Sequence, residues 1–228
     1  MLFFSSDVAG AWAGTWAGGK IGGLAGTVTV PGMGTVSGAA VGATVGAVVV
    51  GGAASYAASD EVPDTTLINH ALSNEAEPIL GDVNQSAYDG HNRVLNSLIL
   101  NNHGAEPSEN PSQNSPFTNL TNNELYIVNN YQSLINNTLN TFSSEVSVSN
   151  SKNFVKSTIN DDNYLTTVSD NFFDGLNYLE TKTDIIDYIN SYKNYVINTS
   201  NLSQTQKTQI LIALDASKGS LDFWSPLN

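Results

Sequence analysis

The chain has no cysteine, which excludes a disulfide frame, a thiolate metal site and a thiol nucleophile. It has one arginine, Arg93, and 8 basic residues in all against 21 acidic ones, for a net charge of −13. A nucleic-acid partner needs lysine and arginine surfaces that neutralise phosphate, so none is expected. Histidine is scarce as well: His70, His91 and His103 are the whole supply. Asp82, Asp89 and His91 are the nearest approach to a metal set, but their spacing matches no compact site and no metal is expected. G-x-S-x-G, H-E-x-x-H and a Cys–His pair are all missing, so the chain reads as non-enzymatic and without a cofactor. The opening "MLFFSSD" carries no basic segment and no A-x-A cleavage site, and is therefore not a recognisable secretory signal.

What is present is divided unevenly. From Val8 to Ser59 the only charged residue is Lys20, and no asparagine occurs before Asn69. Most of the 19 glycines lie in this stretch. After Asp60 the chain turns acidic and rich in asparagine, with a boundary near "SDEVPD" at 59–64. The expected divisions are a hairpin over 1–60, a helix with a Pro/Asn-rich linker over 61–118, and an acidic helical bundle over 119–228.

Gly10, Gly14, Gly18, Gly22 and Gly26 stand four residues apart, and Gly34, Gly38, Gly42 and Gly46 repeat the pattern after Pro31. Residues at i and i+4 share one helix face, so each run makes a smooth stripe. Glycine inside a helix costs about 1 kcal/mol relative to alanine. Close approach of a second backbone offsets that cost, because no side chain stands between the helices. The spacing predicts two helices, Val8–Thr29 and Thr35–Ala58, joined by a turn at Val30–Gly34 and packed along their glycine faces.

The same register disposes of two decoys. "GTWAGGKI", Gly14 to Ile21, matches a phosphate-binding loop except that Ile21 replaces the Ser or Thr that would hold magnesium. No strand-like run precedes it, so a nucleotide is not expected. "GMGTVSG", Gly32 to Gly38, resembles a dinucleotide loop after "TVTV", but no repeating βα pattern surrounds it.

This segment resembles the glycine-zipper segments of two-transmembrane glycine-zipper proteins and of two-peptide bacteriocins. The resemblance covers residues 8–58 and rests on the G-x-x-x-G series with interleaved Ala and Val. It implies membrane insertion, often with self-association. One departure is that a bacteriocin peptide would end near the zipper, whereas this chain continues for about 170 residues. Both predicted helices reach the length of about 20 apolar residues that a span needs. Lys20 near mid-span costs about 3 kcal/mol on insertion scales. Trp12 and Trp16 lie one turn apart on one face, and either sit with Lys20 at a membrane interface or fill the gap beside the glycine stripe. A hairpin buried against the rest of the protein is the alternative to insertion.

Beyond Asp60 the pattern is of five to six amphipathic helices in an irregular bundle, making the fold class all-α. Leu125, Val128, Tyr131, Ile135, Leu139 and Phe142 follow helical spacing, opened by Thr121 and Glu124 as a capping box. Further helices are expected near Val83–Leu100, Asn153–Ile159, Tyr164–Leu179, Asp184–Ile197 and Ser203–Leu221, the last opened by Ser203 and Gln206. Residues 101–116 read as a linker, and Asp161-Asp162 as a helix N-terminus. His91, beside Val94, Leu95 and Leu98, reads as an interfacial or capped histidine.

The functional expectation is a membrane-active, bacteriocin-like or toxin-like bacterial protein, secreted or membrane-associated, with cytoplasmic residence left open. Its partner would be a lipid bilayer or a docking protein, with self-association through the zipper. The competing expectation is a structural or assembly component of a larger complex.

Overall fold

Alanine and tryptophan side chains stand between the glycines of the first element, α1 (Leu2–Leu24). The structure, a computed structural model, describes residues 2–24, 27–30, 34–59, 62–73, 83–103, 122–144, 147–159 and 163–227. After α1 the chain forms β1 (Thr27–Val30) and β2 (Gly34–Ser37), an antiparallel pair in which Thr27 faces Ser37 and Val30 faces Gly34. α2 (Gly38–Ala58) then runs back along α1, the most extensive contact between two elements. The expected hairpin is therefore present with different ends. α1 begins six residues earlier than Val8 and stops before Thr29, and α2 begins at Gly38 rather than Thr35. Thr27 to Val30 are all β-branched, which restricts χ1 in a helix and suits a strand.

Seven further helices follow among the described residues: α3 (Asp64–Ser73), α4 (Val83–His103), α5 (Asn122–Ser144), α6 (Val148–Ile159), α7 (Asn163–Leu176), α8 (Lys182–Asn198) and α9 (Gln204–Trp224), the last followed by a 3-10 turn at Ser225–Leu227. The fold is all-α apart from the four-residue strands. α9 opens with the expected box, Ser203 Oγ accepting from Gln206 N–H while the Gln206 side chain accepts from Ser203 N–H. α8 has the same device in Thr181 and Asp184, a pairing the sequence reading passed over. It also passed over α3, although Leu67, His70 and Ala71 share one buried face at helical spacing. Thr121, Asp82 and Asp161-Asp162 lie outside the described residues, as does the 104–116 part of the expected linker.

The hairpin is the interior of this arrangement. α4, α5 and α9 pack on α2, while α6 and α9 pack on α1. One apolar core joins Phe4, Val8, Trp12, Ala54 and Ala57 of the hairpin to Phe142, Phe154, Phe172, Phe173 and Leu214 of the later helices. Within it Trp12 stacks on Phe172 at 5.7 Å between centroids, and Phe172 meets Tyr192 edge to face at 4.9 Å. A second cluster places Val45, Val48 and Val49 of α2 against Val94 and Leu98 of α4 and Ile135 of α5.

Candidate functional site

The contact between α1 and α2 is built from absent side chains. A β-carbon on Gly14 would collide with the Gly46 carbonyl oxygen, and one on Gly46 with the Gly14 carbonyl oxygen. One turn further along α1, a β-carbon on Gly18 would strike the Gly42 carbonyl; one turn earlier, a β-carbon on Gly10 would meet the Val50 carbonyl and the Ala54 methyl. Each step of four up α1 is matched by four down α2, so Gly10, Gly14, Gly18, Gly42 and Gly46 lie in one antiparallel seam. Gly22 belongs to α1 and Gly38 opens α2, but their contacts, and Gly26 altogether, are outside the described residues. Gly34 is a correction: it is a strand residue opposite Val30, not a helix-packing one. The β-branched run before Pro31 ends the helical register before it reaches Gly34.

α2 has a second glycine face that the four-residue register did not include. A β-carbon on Gly51 would lie 3.2 Å from His91 Cδ2, and one on Gly52 would lie 3.3 Å from Val94 Cβ and 2.8 Å from its Cγ1. The adjacent pair Gly51-Gly52 therefore receives side chains of α4, less closely than Gly46 receives the backbone of α1. α4 is approached by a glycine of α9 as well, Gly219 packing against the Tyr88 carbonyl.

Trp12 is 3% exposed and sits in the core against Phe172 and Phe173, the position of a residue filling the space beside the glycine stripe. Trp16 is half-buried, with exposed Lys20 Nζ 5.3 Å from its ring centroid. Gly14 to Lys20 is continuous helix inside α1, so those glycines form no phosphate-cradling loop.

Asp7, one residue before the stretch that the composition singled out, was missed by the sequence reading. It is fully buried. Its Oδ2 accepts from Ser220 Oγ and from Trp224 Nε1 at 3.1 Å, and the same indole N–H reaches Ser55 Oγ at 2.7 Å. Asp7 Oδ1 is buried with no hydrogen-bond partner. Burial pushes the carboxyl well above the usual carboxylate range, while hydrogen bonds from Ser55 and Trp224 pull it the other way. These four side chains fasten α1, α2 and the end of α9 together. A carboxylate preceding an apolar glycine run, with serines on the partner helices, is the signal that could have found them.

His91, read as interfacial, is wholly buried between α4 and α2. Nδ1 bonds to Asn92 Oδ1 at 3.0 Å, which makes Nδ1 the donor and leaves Nε2 a bare acceptor without a hydrogen bond. Burial drives the imidazole down to about 4, against weaker pulls from Asn92 and the neighbouring Gly51 backbone. Among the described residues no group of three His, Asp or Glu side chains is placed to hold a metal ion. The described hairpin is tightly seated among the later helices, with Asp7 buried within it and His91 buried against it.

No family model matches the chain, and neither a curated protein nor a solved structure matches it.

Proposed function

We propose that the chain is a membrane-active, bacteriocin-like or toxin-like bacterial protein, in which the later helices cover an insertion hairpin until it is released. The observation that carries this reading is Ala39–Ala58, which has the length and apolarity of a membrane span yet is 78% buried inside the fold. An apolar helix of this kind needs either a protein jacket or a bilayer, and amphipathic helices can leave it without losing their own helical hydrogen bonds. Glycine faces seated backbone to backbone keep the hairpin together without a hydrophobic driving force, as packing inside lipid requires. Lys20 opposes insertion by about 3 kcal/mol at mid-span, so the released hairpin would place it toward water or a second copy. The whole would act as a secreted or membrane-associated protein.

The absence of cysteine makes a clean test available. With a Gly52 β-carbon 3.3 Å from Val94 Cβ, the pair Gly52→Cys and Val94→Cys has close to the separation of a disulfide and would staple α4 to α2. Dye-loaded neutral vesicles should leak when the stapled protein is reduced and hold their dye when it is oxidised. Equal leakage in both states, or none from wild type, would sink the proposal.

A structural or assembly role is the second reading, favoured by one observation. Gly14 and Gly18 of α1 are already occupied by Gly46 and Gly42 of α2, and Gly10 by Val50 and Ala54, within one chain. A closed hairpin then serves as a core, and any partner docks on the outer helices.

A further inference from the structure

We propose that His91 is an acid switch on the hairpin's cover: when its imidazole takes a proton, α4 comes away from α2 and exposes the apolar hairpin helix. This deepens the membrane-active reading by naming the signal for release, and it is measured without lipid so that the two can fail separately.

The geometry keeps the ring away from water and gives its charged form little compensation. His91 is pressed onto the Gly51 backbone, with Ala11 of α1 behind it and Gly52 against Val94 beside it. Nε2 makes no hydrogen bond in the closed form, and the Gly51 backbone is the one group on α2 that favours its protonation. Several ionisable groups on the elements around it have partners of their own. On α4, Tyr88 donates to Asp222 of α9 at 2.6 Å, and Asp89 and Arg93 are only partly buried. On α9, Asp222 also pairs with Lys182, and Lys218 acts on that carboxylate. His70 of α3 is bonded to the Phe223 carbonyl, and Asp7 of α1 to Ser220 and Trp224. Only Asn92 and the Gly51 backbone favour the charged imidazole, and burial outweighs both.

A ring that lifts into water recovers its ordinary affinity for a proton. Opening is then favoured by up to tenfold for each pH unit below 6.5, reaching on the order of 100-fold at pH 4, where the buried ring is itself half protonated. Asp7 determines that the response is local. Its proton is held more tightly in the folded protein than in the unfolded chain, so acid favours burial of Asp7 while disfavouring burial of His91. Ser55, Ser220 and Trp224, which hold Asp7, belong to α2 and α9 rather than to α4, although Leu95 and Ile99 of α4 pack in one cluster with Trp224. Acid thus loosens α4 from α2 while the clasp between α1, α2 and α9 is retained.

Hydrogen exchange of the full chain, corrected for intrinsic rates and followed from pH 7 to pH 4, tests this. Amides of α4 and of α2 around Gly51 should lose on the order of 100-fold in protection, while those of α1 beside Asp7 stay protected. His91→Gln, which cannot titrate, should lose most of this response, and His91→Asn serves if the glutamine does not fit. The proton resonances of His91 in wild type need no variant at all and should show no titration near 6.5. A ring titrating there in the closed protein would overturn the switch, as would pH-independent protection of α4 or an unchanged response in both variants. Acid opening without vesicle leakage would leave the switch standing and remove the membrane reading; leakage with no acid opening would do the reverse.

Discussion

Gly14 and Gly46 face each other across the hairpin so closely that a β-carbon on either would strike the carbonyl oxygen of the other. The obstacle on each side is backbone, which cannot rotate away as a side chain can. Substitution here therefore separates helix propensity from packing. Gly14→Ala improves an isolated helix by about 1 kcal/mol, yet forcing a methyl into a closed seam costs about 1–3 kcal/mol. We expect a net loss of unfolding free energy in urea, and a larger one for Gly14→Leu. A stabilised Gly14→Ala protein would mean that the two helices stand further apart than the seam describes.

Lys20 should bind no nucleotide. Its neighbours Gly14, Gly18 and Gly19 are helical, and its ammonium group lies over the Trp16 ring. Calorimetry with ATP or GTP and magnesium should show no saturable heat. Micromolar binding that disappears in Lys20→Ala would reverse this assignment.

Asp7 should make stability fall as pH rises. The folded protein holds this proton more tightly than the unfolded chain, whose carboxyl titrates near 3.8, so the contribution is fully present below that value. From there up to the raised folded-state value it is lost at about 1.4 kcal/mol per pH unit. Asp7→Asn keeps the shape and an acceptor for Ser220 and Trp224 but cannot ionise. The advantage of the variant over wild type should therefore widen between pH 4 and pH 7. Parallel stability curves for the two proteins would show that Asp7 is not buried in the folded state.

Trp12 should behave as core. Trp12→Ala removes the ring that stacks on Phe172 and is expected to cost about 3–5 kcal/mol in thermal or urea unfolding. Trp16, half-buried, should cost clearly less on the same substitution. Similar small losses at both positions would favour the view that neither ring is packed in the folded protein.

By itself the sequence determined which residues share a helix face. The four-residue glycine steps, the spacing from Leu125 to Phe142 and the Ser203–Gln206 box are local features, decided within one or two turns by helical geometry and by the hydrogen bonds of a helix end. They gave the all-α class, the hairpin and the start of α9. Local rules also allowed Thr27–Val30 to be drawn into a helix, where β-branching and the pairing partner at 34–37 select a strand instead. What a face meets is a different question, because periodicity is the same whether the neighbour is lipid, a second copy or another helix of the chain. Only the tertiary structure decided that Gly14 meets Gly46, that Gly51 and Gly52 receive α4, and that Trp12 lies under α7. It alone decided that Asp7 is withdrawn from water beside Ser220 and Trp224, more than 200 residues away in the chain. Burial is a sum over such distant contacts, and the charge state of Asp7 and of His91 follows from burial rather than from the residues beside them in the sequence.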